Sequence, residues 1–127
     1  MTIAFFSILI AILIPQIWAA LAKKNLVASK EYDNAASRIQ LETLTGAPQR
    51  AKWAEQNHYE TLVGFVAGVI VAHLGNADQI TIDVLAIIYI VARIAYGFCY
   101  IKDLPSARSG AWIVGFLSTI GLFVAAF

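Results

Sequence analysis

The side chains that could carry chemistry here are a few ionisable and aromatic residues inside otherwise apolar stretches. Asn57 and Glu60 lie three residues apart and Arg50 lies seven before Asn57, so all three share one helix face. A second face has spacings of four, three and four: Tyr89, Arg93, Tyr96 and Tyr100. Ionisable groups inside a membrane are costly, and each is therefore a functional candidate.

Glu60 and Arg93 are expected at one depth. At about 1.5 Å per residue, Glu60 lies roughly 11 Å and Arg93 roughly 12 Å from the same membrane surface. Opposite charges at one depth offset each other's desolvation cost, so the sequence predicts that the two groups meet. Four further polar residues are expected at this end: Asn57, Tyr96, Tyr100 and Arg108.

Two interpretations of these residues remain open. A structural ion pair with polar contacts between helices would require only Glu60 and Arg93. The extra amide, phenols and guanidinium on converging faces favour a ligand site. His73 and Asp83 are expected near the opposite surface as interfacial residues, since no spacing resembles a zinc or haem site.

The elements that hold these residues follow from composition. Of the 127 residues, 60% are hydrophobic and 13% charged, and mean hydropathy is +0.73. Four apolar runs are long enough to cross a bilayer: 2–22, 53–75, 80–101 and 108–127. These runs predict an all-α, four-helix antiparallel bundle forming one integral membrane domain over residues 1–127.

Charge distribution predicts the orientation. Lysine and arginine concentrate in the loop 23–52 and next to helix four, whereas the turn after residue 75 has none. By the positive-inside rule, the basic loops and the polar site face the cytoplasm. Ala20-Leu21-Ala22 resembles a signal-peptidase site, but no basic residue precedes the run, which favours a retained span. A net charge of +1 argues against nucleic-acid binding.

Two segments carry a likeness to a known family. The segment Arg50-Ala51-Lys52-Trp53-Ala54-Glu55-Gln56-Asn57-His58-Tyr59-Glu60 resembles the helix-two motif of the MAPEG family, membrane-associated proteins of eicosanoid and glutathione metabolism. The pattern Arg93-Ile94-Ala95-Tyr96, Tyr100, Arg108-Ser109 resembles that family's helix three and the start of helix four. The likeness covers nearly the whole chain and is of the bacterial, microsomal glutathione transferase-like type.

The resemblance implies a homotrimer in the bacterial inner membrane, with glutathione bound between subunits as co-substrate. It implies a transferase or peroxidase acting on lipophilic electrophiles or lipid hydroperoxides that arrive from the membrane lipids. By position, Arg108 would stabilise the thiolate, with Ser109 beside it. Glutathione would be bound by the remaining matched residues: Lys23, Lys24, Arg50, Asn57, Glu60, Arg93, Tyr96 and Tyr100.

Departures from the family pattern leave a second interpretation open. Trp53 stands where many members have arginine, and Lys23 and Lys24 replace arginines, although lysine lacks the bidentate fork that holds carboxylates. These changes would suit a non-catalytic trimer that binds lipid or a partner membrane protein. A small multidrug-type transporter is disfavoured because helix one has no acidic residue.

Overall fold

Five helices account for most of the chain, which a computed structural model describes from residue 1 to residue 127. Four are long and one has six residues. In chain order they are α1 (Ile3–Ala28), α2 (Ser37–Glu42), α3 (Gly46–Leu74), α4 (Gln79–Ile101) and α5 (Pro105–Ala125). The protein is all-helical, as the hydropathy pattern predicts.

Three of these helices, α1, α4 and α5, are long and apolar enough to cross a membrane. The 29-residue α3 falls outside this class because its first half carries the charged and polar residues. Only 27 of 127 residues are buried, and isoleucine, leucine, valine and phenylalanine side chains cover the outer helix faces. A surface this apolar suits a lipid environment, where burial from water does not require a protein neighbour.

The helices pack around a central pair. α3 and α4 contact each other, α1 packs against both on one side, and α5 packs against both on the other. The core between them includes Trp18 of α1, Phe65 and Val69 of α3, Tyr89 of α4 and Leu122 of α5. This arrangement leaves the groove between α3, α4 and α5 free to hold a site.

Helix bounds differ from the predicted apolar runs around the first loop. α1 continues to Ala28 because no glycine or proline interrupts residues 16–28, and α3 begins already at Gly46. The remaining loop contains α2, which hydropathy does not signal. α5 begins at Pro105, whose fixed φ and missing N–H suit the first turn of a helix.

Three helices end in the same way, each followed by a residue of left-handed conformation that is not glycine. Lys30, Asn76 and Asp103 have φ of 61°, 55° and 60°. After each, an N–H bonds back to the carbonyl five residues earlier, as in Leu104 to Cys99 at 2.9 Å. α4 begins at an Asp78 cap, and hydrogen bonds from Thr81 hold the pKa of that carboxyl below its usual value. These caps fix the turns between the spans.

His73 and Asp83 tie down the start of α1. The Asp83 carboxylate accepts a hydrogen bond from the Ala4 N–H at 2.8 Å, where the helix dipole favours a negative charge. His73 lies 3.2 Å from the Thr2 hydroxyl and stacks on Phe5, with ring centroids 4.0 Å apart. Both residues therefore have local contacts at the end of the bundle opposite the polar cluster.

Gly97 sets the distance between α1 and α4. A Cβ at this position would lie 2.2 Å from the Trp18 ring, whose indole is buried. We expect Gly97→Ala to lower the free energy of unfolding by about 1–3 kcal/mol, since overpacking forces the helices apart. Thermal unfolding in detergent measures this, and Gly110→Ala is the matched control because a Cβ there would meet nothing within 4 Å. Equal melting temperatures for the two variants would contradict the packing.

Candidate functional site

Two adjoining cavities lie near the α4–α5 turn, where the predicted site residues collect. The outer cavity, about 330 Å³, lies between α3 and α4 and is lined by Trp53, Gln56, Asn57, Glu60, Tyr96 and Tyr100. The side cavity, about 370 Å³, lies between α4 and α5 and is lined by Tyr96, Tyr100, Arg108, Ser109, Trp112 and Ile113. Because both share Tyr96 and Tyr100, they form one concave surface.

A third cavity, here the deep cavity, lies farther along the groove between α3, α4 and α5. It measures about 300 Å³ and is lined by Asn57, Glu60, Thr61, Gly64, Tyr89, Arg93, Trp112, Gly115, Phe116 and Thr119. It shares Asn57 and Glu60 with the outer cavity and Trp112 with the side cavity. Helical spacing produces this alignment, since residues three or four apart on each helix project to the same groove.

Arg93 and Glu60 are joined through an amide. Arg93 Nη2 donates to Asn57 Oδ1 at 3.1 Å, and Asn57 Nδ2 donates to Glu60 Oε2 at 3.0 Å. No direct Arg93–Glu60 ion pair forms within 4.0 Å, so the prediction that the two charges meet is wrong in this respect. Arg93 is 1% exposed whereas Glu60 is exposed at the cavity mouth. The amide lets a buried cation and an exposed anion share one network.

Two phenol rings lie between two cations along the groove. Arg93 Cζ lies 4.3 Å from the Tyr96 ring centroid, and Arg108 Cζ lies 4.5 Å from that of Tyr100. The two phenol rings meet edge to face at 5.5 Å. Stacking on an aromatic face fixes a guanidinium while leaving its N–H edge free to bind. Arg108 is thereby held in the first turn of α5, beside Ser109.

The structure brings together seven of the ten predicted site residues: Asn57, Glu60, Arg93, Tyr96, Tyr100, Arg108 and Ser109. Lys23, Lys24 and Arg50 line none of the three cavities. Arg50 instead donates to the Ile101 carbonyl at 3.2 Å and lies 4.0 Å from Asp103, so it holds the end of α4. Lys23 lies 5.6 Å from the ring of Tyr32. The isolated chain therefore offers two cations in the cavities, Arg93 and Arg108.

The lining of the deep cavity includes residues that were not predicted as part of the site. Thr61 follows Asn57 by four residues and Trp112 follows Arg108 by four, so the helical period could have found both. Tyr89 lies on the predicted face of α4, but no role was predicted for it. Phe116 and Thr119 continue the α5 stripe.

The glycines of α3 serve packing within the chain. A Cβ at Gly68 would lie 3.2 Å from Leu122 Cβ, and one at Gly64 would lie 3.6 Å from Thr119 Cγ2. Both glycines therefore allow α3 to approach α5 closely. This close approach forms the floor of the groove.

His58 lines none of the three cavities, although it is next to Asn57 in the sequence. Its side chain is fully buried, and neither ring nitrogen has a hydrogen-bond partner. No cluster of three or more His, Cys, Asp or Glu side chains that could hold a metal ion is present. The groove therefore offers guanidinium, carboxylate, amide and hydroxyl groups to a ligand.

The fold and this groove define an integral membrane protein of the helical-bundle class with a polar site between its helices. Within that class the chain belongs to the MAPEG family, whose family model matches residues 2–127. No match was found among curated proteins or among solved structures. Membership of the family fits the resemblance carried by the motifs of α3 and α4.

Proposed function

We propose that this protein is a membrane-bound, glutathione-dependent transferase or peroxidase that acts on lipophilic electrophiles or lipid hydroperoxides. The observation that carries the proposal is Arg108, stacked at 4.5 Å on Tyr100 at the side cavity and adjacent to Ser109. Family membership supports this general kind of chemistry. The proposal includes four membrane spans, with α3 as the fourth, and a cytoplasmic site in a bacterial inner membrane.

The proposed chemistry depends on ionisation of the glutathione thiol. A free thiol has a pKa of about 8.5, so only a few per cent is thiolate at neutral pH. A guanidinium next to the sulfur favours the anion, and each unit of pKa shift corresponds to about 1.4 kcal/mol. The thiolate then attacks an electrophilic carbon, forming the S–C bond as the leaving group departs or the double bond accepts the electron pair.

Binding of the peptide would use the rest of the groove. Glu60 can pair with the ammonium group of glutathione, and the Asn57 amide with its peptide groups. The two carboxylates need further cations, because Arg108, the one cation that lines the outer or side cavity, is assigned to the thiol, and Lys23 and Lys24 lie outside the cavities of the isolated chain. We therefore propose a homotrimer in which a neighbouring subunit contributes these lysines to the site.

Thermal unfolding in detergent over a range of glutathione concentrations tests the proposal. A ligand specific for the folded state stabilises as RT ln(1 + [L]/Kd), which is about 2.7 kcal/mol at a hundred times Kd. S-methylglutathione is the matched control: it should stabilise the protein but give no thiolate absorbance in the ultraviolet. No stabilisation by either peptide, with no thiolate signal, would refute the proposal.

One observation favours a second candidate, a non-catalytic trimer that binds lipid or a partner membrane protein. Trp53 lines the outer cavity with its ring 6.1 Å from that of Tyr100, at a place where many family members have arginine. An indole has a single N–H donor and no positive charge, so it cannot replace the bidentate ion pair of an arginine with a carboxylate. A native mass spectrum with retained lipid and no glutathione adduct would support this candidate over the enzyme.

A further inference from the structure

The deep cavity contains a buried guanidinium, that of Arg93, most of whose N–H groups donate no hydrogen bond within the protein. Arg93 is 1% exposed, yet Asn57 is its one side-chain or backbone acceptor, and its Nε–H is buried without a partner. A guanidinium has five N–H donors. Leaving buried donors unsatisfied costs about 1–3 kcal/mol each, so a ligand acceptor in the cavity would be favourable.

The hydroxyl groups that line the deep cavity, those of Thr61, Tyr89 and Thr119, have their hydrogens committed within the protein. The Thr61 hydroxyl donates to the His58 carbonyl at 3.1 Å, so in its 3.2 Å contact with Tyr89 the phenol must be the donor. The Thr119 hydroxyl donates to the Gly115 carbonyl at 3.2 Å. Among the buried side chains that line this cavity, Arg93 is therefore the one with hydrogens left to donate, and its ligand must supply an acceptor.

Charge balance limits what that acceptor can be. Glu60 lines the same cavity and already balances the charge of Arg93 through Asn57. A second carboxylate beside Arg93 would exceed this balance and would be repelled by Glu60. An uncharged oxygen, such as that of a ketone, meets the donor requirement without this repulsion.

The rest of the cavity lining is largely apolar, and the cavity is small. Trp112 and Phe116 stack with ring centroids 5.1 Å apart along one wall. Gly64 and Gly115 line other parts of the cavity, and because they have no side chains they leave it space. A volume of about 300 Å³ is at the lower end of small-molecule pockets. Glu60 and Phe116 are exposed, so the cavity opens sideways on the bundle surface.

We propose that the deep cavity binds the uncharged, oxygen-bearing part of a lipophilic ligand, with Arg93 donating to the oxygen. The inference rests on the proposed function in one respect, namely that this ligand is the electrophilic co-substrate. Glutathione would then occupy the outer and side cavities, and the lipophilic molecule would enter sideways and meet the thiolate near Trp112, which both regions share.

Thermal unfolding in nonionic detergent, without glutathione, tests the binding with three ten-carbon probes: methyl octyl ketone, decanoate and decane. We expect the ketone to raise the melting temperature saturably by about 5 °C or more, and decane not to raise it. Decanoate at neutral pH should have a smaller effect than the ketone. Equal effects of ketone and decane would indicate a plain lipid groove, and a larger effect of decanoate would indicate an anion site; either overturns the proposal.

A matched pair of glycine variants localises the binding. A Cβ at Gly115 would lie 3.6 Å from Arg93 Cδ and take up cavity space, whereas one at Gly110 meets nothing within 4 Å. Gly115→Ala should raise the ketone concentration for half-maximal shift by about tenfold, and Gly110→Ala should leave it unchanged. Because both replace a helical glycine by alanine, the ligand-dependent shift rather than the basal stability is compared. An unchanged half-maximal concentration in Gly115→Ala would overturn the assignment to this cavity.

The same protein sample separates this inference from the proposed function. A glutathione shift without a ketone shift overturns the inference and leaves the enzyme proposal intact. A ketone shift without a glutathione shift refutes the enzyme and leaves the cavity assignment standing. Absence of both shifts overturns both.

Discussion

Replacing Arg108 with alanine is expected to lower kcat/KM for glutathione conjugation by about a hundredfold or more. Removing one preorganised group that stabilises a developing anion typically costs a factor of about a hundred to a thousand. Arg108 is the cation of the side cavity, and its stacking on Tyr100 holds it without using its N–H groups. The measurement is steady-state turnover of a chloronitrobenzene electrophile in detergent, together with thiolate absorbance on adding glutathione.

The pH profile distinguishes this role from a structural one. If Arg108 lowers the pKa of the bound thiol, activity in the wild type rises with pH through that lowered value. In Arg108→Ala the rise should move upward by about one unit or more, because the thiol then titrates closer to its free value of about 8.5. An Arg108→Lys variant keeps the charge but loses the planar fork. The pH at which its activity rises should therefore lie between those of the wild type and Arg108→Ala.

Lys102→Ala is the matched control for Arg108→Ala. Lys102 caps the end of α4, is exposed, and lines none of the three cavities, so its removal changes net charge by the same amount near the same turn. Its pH profile should match that of the wild type. An Arg108→Ala variant that retains the wild-type profile would contradict a role for this arginine at the sulfur.

Helical geometry alone made some residues of the groove predictable, because it determines which helix face a side chain lies on and how deep it lies. The spacings of Asn57 and Glu60 on α3, and of Arg93, Tyr96 and Tyr100 on α4, fix one face and one depth for each set. Antiparallel packing of the two helices therefore brings both sets to one depth, and the cost of polar side chains in lipid turns both faces toward the bundle. The all-helical class followed in the same way from the length and hydropathy of the apolar runs.

Side chains whose positions depend on distant backbone were not predictable. Arg50 shares the helix face of Asn57, but it bonds to the Ile101 carbonyl, a partner created by where α4 ends. The position of Asn57 between Arg93 and Glu60 depends on side-chain rotamers, which spacing does not give. α2 and the extension of α1 to Ala28 lie in a polar segment where hydropathy carries no helical signal.

Replacing Asn57 with leucine is expected to lower the free energy of unfolding by about 3 kcal/mol. The change removes the acceptor of Arg93 and leaves a guanidinium that is 1% exposed without any hydrogen-bond acceptor in the protein. Removing one partner of a buried charged group typically costs about 3–5 kcal/mol, and the neutral amide places this case at the lower limit. Thermal unfolding in detergent provides the measurement, with Gln56→Leu as the neighbouring control on an exposed position of α3.

A double-mutant cycle with Arg93→Met isolates the cause. If Asn57→Leu lowers the free energy of unfolding because the Arg93 guanidinium has lost its acceptor, removing that guanidinium as well should recover part of the stability. The double variant should then be more stable than the sum of the single effects predicts, by about 1 kcal/mol or more. Additive losses would mean that Asn57 acts only through local packing on α3. In that case Glu60 would have to balance Arg93 directly, and the amide-bridged network would not be what positions the two charges in the groove.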